Sequence, residues 1–94
     1  MLIVRNCFVA KPGQASKLAA QLKSAAATAN IPRYRVLTDL TGEFNRVVLE
    51  YEVDSVAQFE ERMKQYMNDT GFRAKMAGYT DLYLTGTREI LQTA

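Results

Sequence analysis

Residues 44–53 read FNRVVLEYEV. Every second position gives Val47, Leu49, Tyr51 and Val53, and the positions between give Phe44, Arg46, Val48, Glu50 and Glu52. A period of two residues is the mark of a β-strand whose two faces meet different surroundings. The first set belongs against a core. The second is half apolar and half ionic, and what lies over it decides the architecture.

Working outward, LIVRNCFV is rich in branched and aromatic residues and reads as a first strand. KPG at 11–13 breaks it. Residues 14–30, QASKLAAQLKSAAATAN, are dense in good helix formers. Leu18, Leu22 and Ala25, flanked by Ala15, Ala26 and Ala29, make an apolar stripe at helical spacing, small enough to sit close to a sheet. Asn30 suits a left-handed helix end, and Pro32 stops continuation. RYRVLTDLT, 33–41, is a second strand, joined through Gly42-Glu43 to the third as an antiparallel hairpin. Ser55 and Gln58 have capping-box spacing, and Val56, Phe59, Met63 and Tyr66 or Met67 recur at helical intervals behind them. Asp69-Thr70-Gly71 interrupts that helix. FRAKMAG, 72–78, allows one or two more helical turns, and DLYLTGTREIL, 81–91, is the fourth strand.

Strand, helix, strand, strand, helix, strand is the split βαβ order, an α+β ferredoxin-like βαββαβ fold in one domain spanning 1–94. Right-handed crossovers send both helices to one face of the four-stranded antiparallel sheet. The other face is left without helices. It holds Arg35 with Leu37 from the second strand, Arg46, Val48 and Glu50 from the third, and either Arg88 or Glu89 from the fourth. The first strand is apolar in both registers, so its facing is open. A dry core would not take unpaired charges, and a wetted face would carry fewer large apolar residues. The mixture suits a half-buried surface with paired charges, or the walls of a small cavity. A homodimer with two sheets face to face is therefore expected.

The strand-KPG-helix stretch FVAKPGQASKLAAQLKSA (8–25), the helix VDSVAQFEERMKQYMND (53–69) and the order of elements over the whole chain carry a resemblance. The chain resembles the dimeric α/β-barrel superfamily, and within it the small NIPSNAP-like and antibiotic-biosynthesis-monooxygenase-like proteins. The resemblance implies two sheets pairing into a dimeric α/β barrel with a cavity in each subunit. Some members are oxygenases. Haem-degrading members use an asparagine on the first strand, where Asn6 stands, but also a histidine and a tryptophan, and this chain contains neither. Cofactor-free quinol oxygenases place asparagine, tryptophan and tyrosine around the ring; Asn6 and several tyrosines match, the tryptophan does not. Read without the resemblance, Asn6 is a polar residue hydrogen-bonded within the sheet.

Composition narrows the chemistry further. The 94 residues are 48% hydrophobic, with a net charge of +2 and no block of like charges, so nucleic acid is not an expected partner. The third strand lacks the basic-aromatic signature of RNA-recognition modules, and KPGQ is not the phosphate-binding turn of acylphosphatases. MLIVRNCFVA, interrupted by Arg5 and Asn6, is too short for a membrane span and too broken for a signal peptide, so no membrane partner and a cytoplasmic location are expected. Cys7 is alone and reads as a small buried strand residue. Without histidine, zinc lacks ligands and a serine or cysteine nucleophile lacks its base, so no metal, cofactor or catalytic residue is assigned.

Arg35, Arg46 and Arg88 either pair with Glu50, Asp39 and Glu89 or hold an anionic ligand. Tyr34, Tyr79 and Tyr83 are either core residues with their oxygens at a rim or the lining of a pocket. The pocket or barrel-interior candidates are thus Asn6, Arg35, Arg46, Glu50, Tyr79, Tyr83 and Arg88. Two functions fit. One is a homodimeric binding or interaction module without catalysis, able to take a small-molecule ligand. The other is a cofactor-free monooxygenase acting on a small aromatic or carbonyl compound.

Overall fold

A computed structural model describes residues 1–94. In chain order the elements are β1 (Leu2–Ala10), α1 (Ala15–Thr28), β2 (Arg35–Thr38), β3 (Arg46–Val53), α2 (Val56–Asn68), α3 (Thr70–Lys75) and β4 (Tyr83–Gln92), with a single 3-10 turn over Tyr79–Asp81. The strands form one antiparallel sheet in the order β2-β3-β1-β4. This is the expected ferredoxin-like arrangement, α+β, with β1 and β3 in the centre. The molecule is a slab of 35 × 35 × 19 Å, the thickness of one helix layer on one sheet.

Pairing fixes the facing that the first strand left open. Leu2, Val4, Asn6 and Phe8 lie opposite Val53, Tyr51, Leu49 and Val47, so these alternate residues of β1 share the helix side with the core set of β3. Two clusters fill the space beneath the helices. Leu18, Ala19 and Leu22 of α1 pack on Ala10, Val47 and Leu82. Ala26, Ile31 and Tyr66 pack on Val4, Tyr51 and Val53, with Phe59 and Met63 of α2 at the edge. Leu18 and Leu22 are fully buried, each stabilising the fold by roughly 1.5–3 kcal/mol.

The element ends follow local chemistry. α1 closes where Asn30 turns left-handed (φ 54°), as its sequence suggests. β2 is shorter than the expected 33–41. Arg33 is left-handed (φ 52°) before it. After it, the Asp39 carboxylate accepts the Arg46 N–H (2.9 Å), so residues 39–45 form a loop in place of a tight two-residue link. At α2, Ser55 Oγ accepts the Gln58 N–H (3.0 Å), and Gln58 Oε1 reaches back to accept the Asp54 N–H (2.6 Å), a capping box displaced by one residue. α3 starts earlier than expected because Asp69 Oδ1 caps Phe72 N–H at 3.0 Å. Gln21 of α1 then donates its amide to the carbonyls of Lys75 (2.9 Å) and Ala77 (2.8 Å), tying the far end of α3 down.

β4 departs from simple alternation. It pairs with β1 in register from Leu2↔Gln92 to Val9↔Thr85, then jumps to Ala10↔Tyr83. Leu84 is the extra residue of a β-bulge. The bulge returns Tyr83 to the helix side, with Gly86, Arg88 and Ile90, and its ring meets Phe8 edge-on at 5.1 Å.

Candidate functional site

The sequence candidates divide between the two faces of the sheet. Arg35, Arg46 and Glu50 lie on the face without helices; Asn6, Tyr79, Tyr83 and Arg88 lie on the helix side.

On the helix-free face, Glu50 of β3 is only 4% exposed, although no helix covers it. Its two neighbouring strands enclose it. Arg5 of β1 stands opposite and donates from Nε to Oε2 at 2.6 Å, and Arg35 of β2 donates to Oε1. Burial pushes the Glu50 carboxyl up, but the hydrogen bonds and charges of Arg35 and Arg5 outweigh it and leave the carboxyl below its ordinary value. Glu52 takes a more exposed arginine, Arg33, at 3.1 Å. Arg46 makes no ion pair; its backbone N–H serves the Asp39 turn. Between these charges lie Ile3, Cys7, Leu37 and Val48, and Cys7 is a half-buried free thiol. A hollow of about 490 Å³ at the β2 end of this region is lined by Arg33, Arg35, Glu50 and Glu52, whose charges already satisfy one another.

On the helix side, α1 and α2 leave the β4 half of the sheet only partly covered. A cleft of about 380 Å³ opens there, lined by Asn6, Phe8, Tyr79, Tyr83, Gly86, Thr87 and Arg88. Asn6 is 8% exposed, and its Oδ1 accepts the Arg88 Nε–H at 2.7 Å. The Arg88 guanidinium lies over the ring of Phe59 from α2, 5.5 Å from its centroid. Arg88 therefore does not pair with Glu89, which faces the other way beside Arg5. Tyr79 stacks obliquely on Tyr83 at 5.7 Å. Burial, then the neighbouring Tyr83, push the Tyr79 phenol up, with Arg88 pulling weakly the other way. Deeper, the buried Tyr51 hydroxyl points at Met63 Sδ (3.9 Å), and burial pushes this phenol up to about 12. Raised in this way, the Tyr51 and Tyr79 phenols keep their protons at neutral pH and do not serve as bases.

Arg5 and Phe59 escape a reading of the sequence. Arg5 sits in the strand whose facing was open, and only its position opposite Glu50 reveals its partner. Phe59 reads as a core residue at helical spacing. No group of three His, Cys, Asp or Glu side chains is placed to hold a metal ion, and no helix is long and apolar enough to cross a membrane.

No protein-family model matches the chain, and no curated protein matches it in sequence. Solved structures do match it in shape. An uncharacterised NIPSNAP domain protein from Burkholderia xenovorans superposes with a TM-score of 0.87 at 15% identity, over 100% of this chain and 95% of the other. The chain has the NIPSNAP-type fold. A NIPSNAP family protein from Agrobacterium tumefaciens gives 0.87 at 14% identity, covering 99% of this chain and 85% of its own. An antibiotic biosynthesis monooxygenase gives 0.74 at 13% identity, covering 100% and 99%. At such identities the likeness to NIPSNAP proteins is one of fold, and binding or catalysis has to be argued from the site.

Proposed function

We propose that the protein is a homodimeric binding protein. Two copies pack their helix-free sheet faces together, and each copy keeps the Arg88 cleft open for a small molecule. The observation that carries this reading is the segregation of charge. The arginines around Glu50 are already paired in a face that is half apolar, whereas Arg88 is held in a cleft with no carboxylate beside it.

Size and charge both support the assembly. Only 16 of 94 residues are buried, so a partner surface adds substantially to the core. Four strands of this length present roughly 500 Å² of projected face, and two such faces approach the ~1,000 Å² that a specific interface needs. The face carries Arg5, Arg35 and Arg46 against Glu50, Glu52 and Glu89, a balanced set that a twofold axis can match with itself.

A second reading, cofactor-free oxygenation, draws on the antibiotic biosynthesis monooxygenase that shares this fold and on Asn6 beside aromatic walls. It needs a group to take a proton from the substrate. The ionisable groups of the cleft are Arg88 and phenols, and Tyr79 is raised. Binding is therefore favoured over turnover.

Native mass spectrometry at low micromolar concentration tests the first reading. A dimer that retains or accepts small molecules is expected; a monomer would falsify the interface. Turnover of hydroquinones under oxygen, lost in Asn6→Ala, would replace binding by the second reading.

A further inference from the structure

The guanidinium and amide nitrogens left over in the cleft are donors without acceptors. Arg88 spends Nε on Asn6, and its two terminal nitrogens meet no acceptor in the chain. Planar guanidinium nitrogens in that state form a fork for an oxyanion. Asn6 is more than nine-tenths buried, and its Nδ2 has no partner in the chain. No side-chain polar atom is sealed from solvent without a partner, so that amide opens onto the cleft it lines. No acidic side chain lines the cleft, so its positive charge is uncompensated from within.

The walls are flat and aromatic. Phe8 and Tyr83 meet edge to face and Tyr79 leans on Tyr83. Gly86 keeps the floor bare: a methyl there would come within 3.0 Å of the Cys7 carbonyl oxygen and 3.5 Å of the Phe8 ring. The cleft volume, about 380 Å³, lies at the small end of ligand sites, which run from about 300 to 1,000 Å³.

We propose that the ligand of this cleft is a small planar aromatic carboxylate, its carboxylate on Arg88 and Asn6 and its ring against Phe8 and Tyr83. This rests on the cleft's being a binding site. Arg88 is positioned for it before any ligand arrives, anchored at Nε by Asn6 and on its face by Phe59.

The test is an amide-resolved NMR titration of the full chain with 2-naphthoate and with its uncharged analogue 2-naphthamide. Naphthoate is expected to shift the amides of Phe8, Gly86 and Thr87 saturably, and naphthamide to bind roughly tenfold or more weakly. Arg88→Met is expected to erase that difference, Arg88→Lys to keep part of it, and Arg46→Met on the opposite face to leave it unchanged. The spectra report the folding of each variant, and Arg88→Gln serves where Arg88→Met does not fold. Equal binding of acid and amide overturns the carboxylate assignment and spares the cleft. Acid binding that survives loss of the arginine, or shifts confined to Cys7 and Val48, also overturns it. No shift with either compound overturns the assignment and the cleft reading together, while subunit count is judged separately.

Discussion

Glu50 is a carboxylate in a place where a carboxylate is costly, and two arginines make it tolerable. The carboxyl sits below its ordinary value in the folded chain, so it contributes stability above the unfolded carboxylate value of about 4.3 and loses it as pH falls through the folded value. Glu50→Gln is expected to cost roughly 1–3 kcal/mol at pH 7, because Arg5 and Arg35 lose their charged acceptor. The same variant should show a flatter loss of stability than the parent below about pH 4. Urea titrations at pH 7 and pH 3 measure both; equal pH dependence in the two proteins would remove the linkage. At this scale the sequence was legible in part. Glu50 stands out among Val48 and Tyr51 from alternation alone. Arg5 does not, because Ile3, Arg5 and Cys7 form as plausible a core set as Leu2, Val4 and Asn6 until β3 is laid beside them. The choice between Arg88 and Glu89 is hidden for a different reason: one extra residue at Leu84 puts Tyr83 on the face of Arg88, where strict alternation would put it with Glu89.

Among the elements, the two long helices are anchored unequally. α1 buries five residues and α2 buries one, Tyr66, with Phe59 and Met63 half covered. Amide hydrogen exchange is expected to open α2 before α1, since local opening follows the apolar surface that holds an element down. Uniform protection would show that the helices move as one layer. α2 leans correspondingly on its cap, and Ser55→Ala is expected to cost about 1 kcal/mol in a thermal or urea melt, through loss of the Gln58 N–H bond. Helix starts of this kind are readable because Ser55 and Gln58 announce themselves by spacing. The start of α3 is less so: in sequence Asp69 reads as an interruption, yet a side chain that breaks one helix can cap the next. Alternation alone extends β2 too far, because it carries no sign of the left-handed turn at Arg33 or the carboxylate of Asp39.

For the whole molecule the order of elements is enough to give the fold class and to put both helices on one face of the sheet, since crossover handedness leaves few alternatives. The proposed assembly yields a further expectation. Leu37 is 40% exposed on the helix-free face, opposite Val48. Leu37→Lys is expected to abolish dimers at micromolar concentration with the far-ultraviolet spectrum preserved. The parent should also melt at a temperature that rises with protein concentration, and the variant should not. Sedimentation of the variant as an unchanged dimer would place the interface elsewhere, with the hairpin loop as the next surface to test, because Leu40 and Phe44 there are 98% and 83% exposed.

Arg5 and Asn6 are consecutive letters of one strand, and they serve opposite sides of it. Odd positions of β1 address the ion-paired face, and even positions address the helix side, where Asn6 and Phe8 line the cleft. Substitution can therefore revise one side while the other is kept, and the proposed cleft ligand and the proposed assembly are free to diverge along separate evolutionary lines. Insertion has no such freedom. One residue added in the middle of β1 exchanges the two scripts beyond it, sending arginine inward and asparagine outward. A lineage carrying this strand should tolerate many point changes in it and almost no change in its length.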